Sequence, residues 1–171
     1  MRPPIELQIC RVPTSVWVIF RHHHYLDTNL HKAAICFGAW WNESLIAFCA
    51  WLPHVGQKNA KRVTRTVCLP DYQGVGIGNA LMAHTASMYS GLGVKCRVSA
   101  THPGLIASCN RSPLWALTRQ PARSGGRSVG KFRCMDAAKS YQRLIASFQY
   151  VGPPMIREDA ERLLHSHVEG S

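Results

Sequence analysis

A strand that runs through a proline into a loop of alternating glycines, and from there into a helix, constrains this chain most. Residues 67–79 read V-C-L-P-D-Y-Q-G-V-G-I-G-N. The apolar, β-branched stretch Val63 to Leu69 enters Pro70, and Asn79-Ala-Leu-Met-Ala-His-Thr-Ala follows the loop. Gly74, Gly76 and Gly78 carry no Cβ, so the loop backbone can take positive φ and approach a ligand closely. Its N–H groups then point, at a helix N-terminus, toward an anion. A pyrophosphate is the natural guest.

Three loop types are of this kind. A P-loop ends in Gly-Lys-Ser/Thr, whereas this loop ends Gly78-Asn79-Ala80. A dinucleotide fingerprint needs G-x-G-x-x-G and an acid about 20 residues further on. Here the third glycine is missing, and Cys96 to Ala100 holds no Asp or Glu. The remaining pattern, Q/R-x-x-G-x-G/A after a strand ending in x-Pro, is met by Gln73, Gly76 and Gly78. The run resembles the acyl-CoA-binding loop of the GNAT superfamily of N-acetyltransferases. Strand, loop and helix in that order make the match specific.

The rest of the chain supports one domain over 1–171 with a sizeable core. Hydrophobic residues make up 46% and charged residues 17%, which excludes a disordered chain. No apolar run reaches a membrane span. Met1-Arg2-Pro3-Pro4 opens no signal-peptide pattern, so the cytoplasm is the expected compartment. Seven cysteines, none spaced C-x-x-C, argue against a disulfide framework or a zinc site, and Cys36, Cys49, Cys68 and Cys96, in apolar strand-like runs, are expected to be buried thiols; no metal is expected.

The periodicity predicts a strand over Ile5 to Val12, a helix from Pro13-Thr14-Ser15 through His24, and a loop at Leu26 to His31. Two strands, Lys32 to Trp41 and Ser44 to Leu52, flank an Asn42-Glu43 turn. The strand Arg62 to Leu69 enters the glycine loop. A helix over Asn79 to Ser90, a strand over Val94 to Ala100 and a short helix or loop to Trp115 follow. Arg119 to Gly130 reads as a mobile basic loop, Leu144 to Val151 as a strand and 156–168 as a C-terminal helix. This order is similar to the GNAT fold, an α/β architecture with a curved mixed sheet and helices on both faces. The stretches F-R-H-H-H-Y-L, R-x-V-x-L-P-D-Y-Q-G-V-G-I-G, S-A-T-H-P and S-F-Q-Y-V-G resemble a subgroup of that superfamily found in phages and mobile elements.

The resemblance implies a transferase that moves an acetyl group from acetyl-CoA to an amine by direct attack in a ternary complex. It implies that backbone groups at Cys68 and Leu69 pair with the pantetheine arm and polarise the acyl carbonyl. Gln73, Gly74, Gly76, Gly78 and Asn79 would hold the pyrophosphate. Many GNAT enzymes place a base Glu on the loop-bearing strand and an acid Tyr on the following helix. Here that strand offers Arg62, Thr64, Arg65 and Thr66, and Leu105 to Trp115 has no Tyr. His102, His24 and Tyr25 are the local substitutes, because imidazole titrates close enough to neutrality to move protons. Ser99, Ser108 and Ser112 are further candidates. Three adjacent histidines, His22 to His24, point in different directions and do not form a metal site.

The net charge of +11 is unevenly placed: no Asp or Glu occurs between Tyr72 and Met135, a span with eight Lys and Arg. An anionic partner is expected, nucleic acid first. Trp40, Trp41, Trp51 and Trp115 are either core or stacking platforms for bases. Two alternatives to the amine acetyltransferase remain. One is an inactive GNAT-fold protein that binds nucleic acid through residues 95–133. The other is a phage DNA base-modifying enzyme of the Mom type.

Overall fold

The computed structural model describes residues 5–24, 28–123 and 144–166. Among the described residues the strands form one seven-stranded sheet in the order β1-β2-β3-β4-β5-β7-β6. The strands are β1 (Gln8–Val12), β2 (Ile35–Trp41), β3 (Ser44–Pro53), β4 (Ala60–Cys68), β5 (Lys95–Ala100), β6 (Trp115–Arg123) and β7 (Leu144–Tyr150). Of the described neighbouring pairs, β4 and β5 run parallel and the rest are antiparallel. The helices are α1 (Trp17–Phe20, between short 3-10 turns at Thr14–Val16 and Arg21–His23), α2 (Ile77–Gly91), α3 (Pro103–Arg111) and α4 (Arg157–His165). No described helix is long and apolar enough to cross a membrane.

Alternation along the strands sorts the apolar residues onto two faces. Phe37, Trp51, Val98 and Phe148 face α2, α3 and α4, and pack with Leu81, Met82, Met88 and Cys109. Phe48, Ala50, Leu52 and Val67 face the other way and pack with Trp17 and Phe20 of α1. Helices therefore cover both faces, but among the described residues the second face is covered only over β1 to β4. The tight β2–β3 turn takes Asn42 and Glu43 at positive φ (46° and 67°), the conformation that a two-residue hairpin requires.

Several sequence expectations change, among them the starts of β1 and β2, which begin at Gln8 and Ile35 rather than Ile5 and Lys32. The basic loop at 119–130 is strand as far as Arg123, because Ala122 and Arg123 pair with Ile145 and Leu144 of β7; residues 124–130 lie outside the described residues. Pro121 is tolerated there because β6 is an edge strand whose register shifts between Arg119 and Ala122. The helix after the loop starts at Ile77 rather than Asn79. The first helix begins after Pro13 with no side-chain cap from Thr14 or Ser15. For the C-terminal helix, the described part runs Arg157–His165, and 167–168 lie outside the described residues.

Of the thiols expected to be buried, Cys36, Cys49 and Cys96 are, whereas Cys68 at the end of β4 is only partly buried, and the burial has an energetic consequence. Cys36, Cys49 and Cys96 are at most 1% exposed, and burial pushes each thiol from the ordinary 9.0 up to about 12. The folded state thus holds these protons more tightly than the unfolded chain. The resulting stability is complete below pH 9 and drains away as pH rises from 9 toward 12. We expect urea midpoints to be level in the thiol contribution up to pH 8 and to fall steeply by pH 10.5. A level midpoint through pH 10.5 would refute the burial argument.

Candidate active site

β4 and β5 are joined by three register pairs, Ala60 with Lys95, Lys61 with Cys96 and Arg62 with Arg97. Beyond them β4 continues to Cys68, while β5 pairs with β7. The parallel strands therefore splay, and among the described residues no strand pairs with the outer edge of β4 from Val63 to Cys68, which faces an opening. On its other edge, β4 is held by β3. The Leu69 N–H donates to the Ile46 carbonyl at 2.9 Å. Antiparallel ladders alternate, so Val67 also faces β3, whereas the N–H groups of Thr66 and Cys68 face the opening. Leu69 is thus committed to the sheet, and Thr66 joins Cys68 as a backbone donor. Sequence reading missed Thr66; counting back in twos from Cys68 would have found it.

The loop is pinned from both sides. Pro70–Tyr72 forms a 3-10 turn, and the Tyr72 ring meets Trp41 edge-on at 5.9 Å. The Gln73 N–H donates to the Pro70 carbonyl, and its side-chain Nε2 donates to the Cys68 carbonyl at 2.9 Å. Gln73 is therefore a clamp between loop and strand, and its own N–H is spent. Gly76 caps α2 with φ 90°, and a Cβ built there would meet nothing within 4 Å. The same is true of Gly74 at φ 79°. The space beside the loop is open to a ligand.

Gly78 serves close approach instead. A Cβ on it would lie 3.2 Å from Cys68 Sγ and 3.4 Å from Thr66 Cγ2, so glycine lets α2 settle on β4. Its N–H bonds the Cys68 thiol, but burial outweighs that bond and pushes the thiol up to about 11. The first helical bond runs from the Ala80 N–H to the Gly76 carbonyl at 2.9 Å. Gly76, Ile77 and Asn79 thus offer N–H groups that the helix itself does not use. The Asn79 side chain donates to Ser108 Oγ at 2.6 Å, tying α2 to α3. A cavity of about 180 Å³ lies between these helices, lined in part by Asn79, Ala83, Ser108, Ser112 and Leu114. Open N–H groups at a helix start, a splayed strand edge and an adjoining cavity fit an elongated ligand with a pyrophosphate.

The described proton-transfer candidates, His102 and His24, sit on separate elements. His102 caps α3, its Nδ1 accepting from the Gly104 N–H at 3.2 Å. His24 follows the turn after α1, with its ring 5.8 Å from that of Trp17. Tyr25 lies outside the described residues. β4 carries no carboxylate. No group of three metal-ligating side chains exists among the described residues. Of the tryptophans weighed as stacking platforms, Trp51 and Trp115 are core: Trp51 is fully buried and Trp115 is 7% exposed.

The profile of the acetyltransferase (GNAT) family matches residues 7–110. No curated protein matches the sequence significantly. The fold is similar to ribosomal-protein-S18-alanine N-acetyltransferase from Escherichia coli, at TM-score 0.60 and 14% identity, over 85% of this chain and 93% of that one. It is similar to a Bacillus subtilis acetyltransferase in complex with CoA, at TM-score 0.58 and 10% identity, over 86% and 98% of the two chains. It is also similar to a GNAT family acetyltransferase from Elizabethkingia anophelis with acetyl-CoA bound, at TM-score 0.55 and 10% identity, over 84% and 97%.

Proposed function

The chain belongs to the GNAT family of acetyltransferases, and on that premise we propose that it moves an acetyl group from acetyl-CoA to an amine held in a ternary complex. The observation that carries this reading is the pairing of an open-edged β4 with the Gly74–Gly76 cradle at the start of α2. Gly74, Gly76, Ile77 and Asn79 bind the pyrophosphate through backbone N–H groups. Thr66 and Cys68 pair with the pantetheine arm through the edge of β4. One of their N–H groups donates to the acyl oxygen and stabilises the negative charge that forms on it. The amine nitrogen attacks the carbonyl carbon and loses a proton. The carbon–sulfur bond breaks, and CoA leaves with its thiol protonated, giving the amide and CoA. His102, His24 and Tyr25 are the groups proposed to handle the protons.

Cys68 takes part through its backbone. Its thiol, pushed up to about 11, is a nucleophilic thiolate in only about one molecule in ten thousand at neutral pH. A Cys68→Ala variant is therefore expected to keep kcat within about threefold and to show no acyl-enzyme in single-turnover mass spectra. A loss of 100-fold or more, with an acetylated Cys68 trapped in the wild type, would replace direct transfer by a two-step route.

A second reading takes nucleic acid as the acceptor, or as the ligand of a protein without turnover. It is favoured by the run of residues 73–123, which contains no carboxylate and exposes Lys95, Arg111 and Arg119. Such binding weakens steeply with salt. Release of CoA thiol on adding a small amine, unaffected by competing DNA or RNA, would set this reading aside.

A further inference from the structure

The face of the sheet turned toward α1 carries an arginine pair where β4 and β5 part. Arg62 of β4 and Arg97 of β5 are register partners in the last rung before the strands splay. Leu52, the β3 partner of Arg62, belongs to the α1-side core, so Arg62 shares that face. Cys96 and Val98 belong to the α2-side core, so Arg97 between them also faces the α1 side. Beyond β4 no described helix covers this face. It continues as Ser99 and Ser147, whose hydroxyls lie 3.3 Å apart, and as Gln149.

Two guanidinium groups on one rung repel each other unless an anion sits with them. The structure gives Arg97 little else to bond. Its Nε is buried and has no hydrogen-bond partner, and its Nη2 reaches only Gln149 Oε1 at a long 3.5 Å. The described acids are elsewhere: Glu6 and Glu43 by the β1–β2 edge, Asp71 in the loop turn, and Glu158, Asp159 and Glu161 on α4. In particular, β4 supplies no carboxylate.

Resting on the acetyltransferase reading, we infer that the acceptor amine carries an acidic group, a carboxylate or phosphate, which Arg62 and Arg97 hold while the amine reaches the β4 edge. A guanidinium fork matches both oxyanions. Thr66 lies four residues beyond Arg62 on β4, roughly 13 Å of strand, and an extended arginine covers part of that distance. The acceptor therefore separates amine from acid by several bonds. A polyamine or other purely cationic acceptor is disfavoured on the same charges.

The test uses the full chain, with 4-aminobutyrate and 3-aminopropyl phosphate set against neutral 4-aminobutanamide and a single-stranded oligonucleotide. CoA-thiol release and calorimetric binding are both read. The acidic amines are expected to exceed the neutral one by about tenfold or more in kcat/KM. Arg62→Gln and Arg97→Gln should each raise KM for the acidic amines about tenfold and leave KM for 4-aminobutanamide and the affinity for acetyl-CoA unchanged. If the arginine dependence appears with the oligonucleotide alone, the anion is a backbone phosphate. Equal preference for charged and neutral amines, or equal effects of the variants on both, would overturn the inference. Absence of acetyl-CoA binding would instead strike the acetyltransferase reading. Binding of 4-aminobutyrate against its amide, compared between wild type and variants, would still decide the anion site.

Discussion

A Gly76→Val variant is expected to fold and to lose at least 100-fold in acetyl-CoA affinity. Gly76 sits at φ 90°, where a residue with a Cβ is strained by about 1–2 kcal/mol. That strain is small against a domain stability of about 5–15 kcal/mol, and the added side chain meets no protein atom within 4 Å of its Cβ. The same open space is where the pyrophosphate must approach the Gly76 and Ile77 N–H groups. A branched side chain there blocks the approach. Calorimetry with acetyl-CoA, beside a denaturation curve, separates the two effects. Retained affinity in a folded variant would mean that the loop is only a turn.

The largest stability effect is expected at Trp51. Its side chain is fully buried on β3 beneath α2, and Nε1 donates to Thr85 Oγ1 at 3.0 Å. The Tyr89 ring meets it edge-on at 5.3 Å. Trp51→Ala removes the ring that joins the central hairpin to α2, and should cost about 3–5 kcal/mol. Urea denaturation measures this, and Trp51→Phe should recover most of the loss, leaving chiefly the missing hydrogen bond of about 1 kcal/mol. A cost below about 1 kcal/mol for the alanine variant would show that Trp51 does not hold that interface.

The glycine loop was legible because its chemistry is local: positive φ, a missing Cβ and a helix start all leave marks in consecutive residues. The β2–β3 hairpin was legible for the same reason, through Asn42-Glu43 between two apolar runs. β6 was not. Its residues, W-A-L-T-R-Q-P-A-R, include a proline and two arginines, and they become strand only because β7 supplies a ladder. Such a partner about 20 or more residues away leaves no local mark. The cofactor edge was half legible. The sequence points to the end of β4, but whether Leu69 or Thr66 faces the opening depends on the register with β3, set by the bond from Leu69 to Ile46. The Arg62–Arg97 pair was invisible for the same reason, since the two lie on one rung only through the parallel register of β4 and β5. His102 shows the converse: the sequence marks it as a possible base, and the structure also employs it as the cap of α3.

The most direct test of the account is a calorimetric titration of the purified protein with acetyl-CoA. One saturable site per chain, weakened when the pyrophosphate-bearing half of the coenzyme is omitted, is the predicted result. Heats indistinguishable from dilution would contradict the account, because the open β4 edge and the glycine cradle would then serve some other ligand.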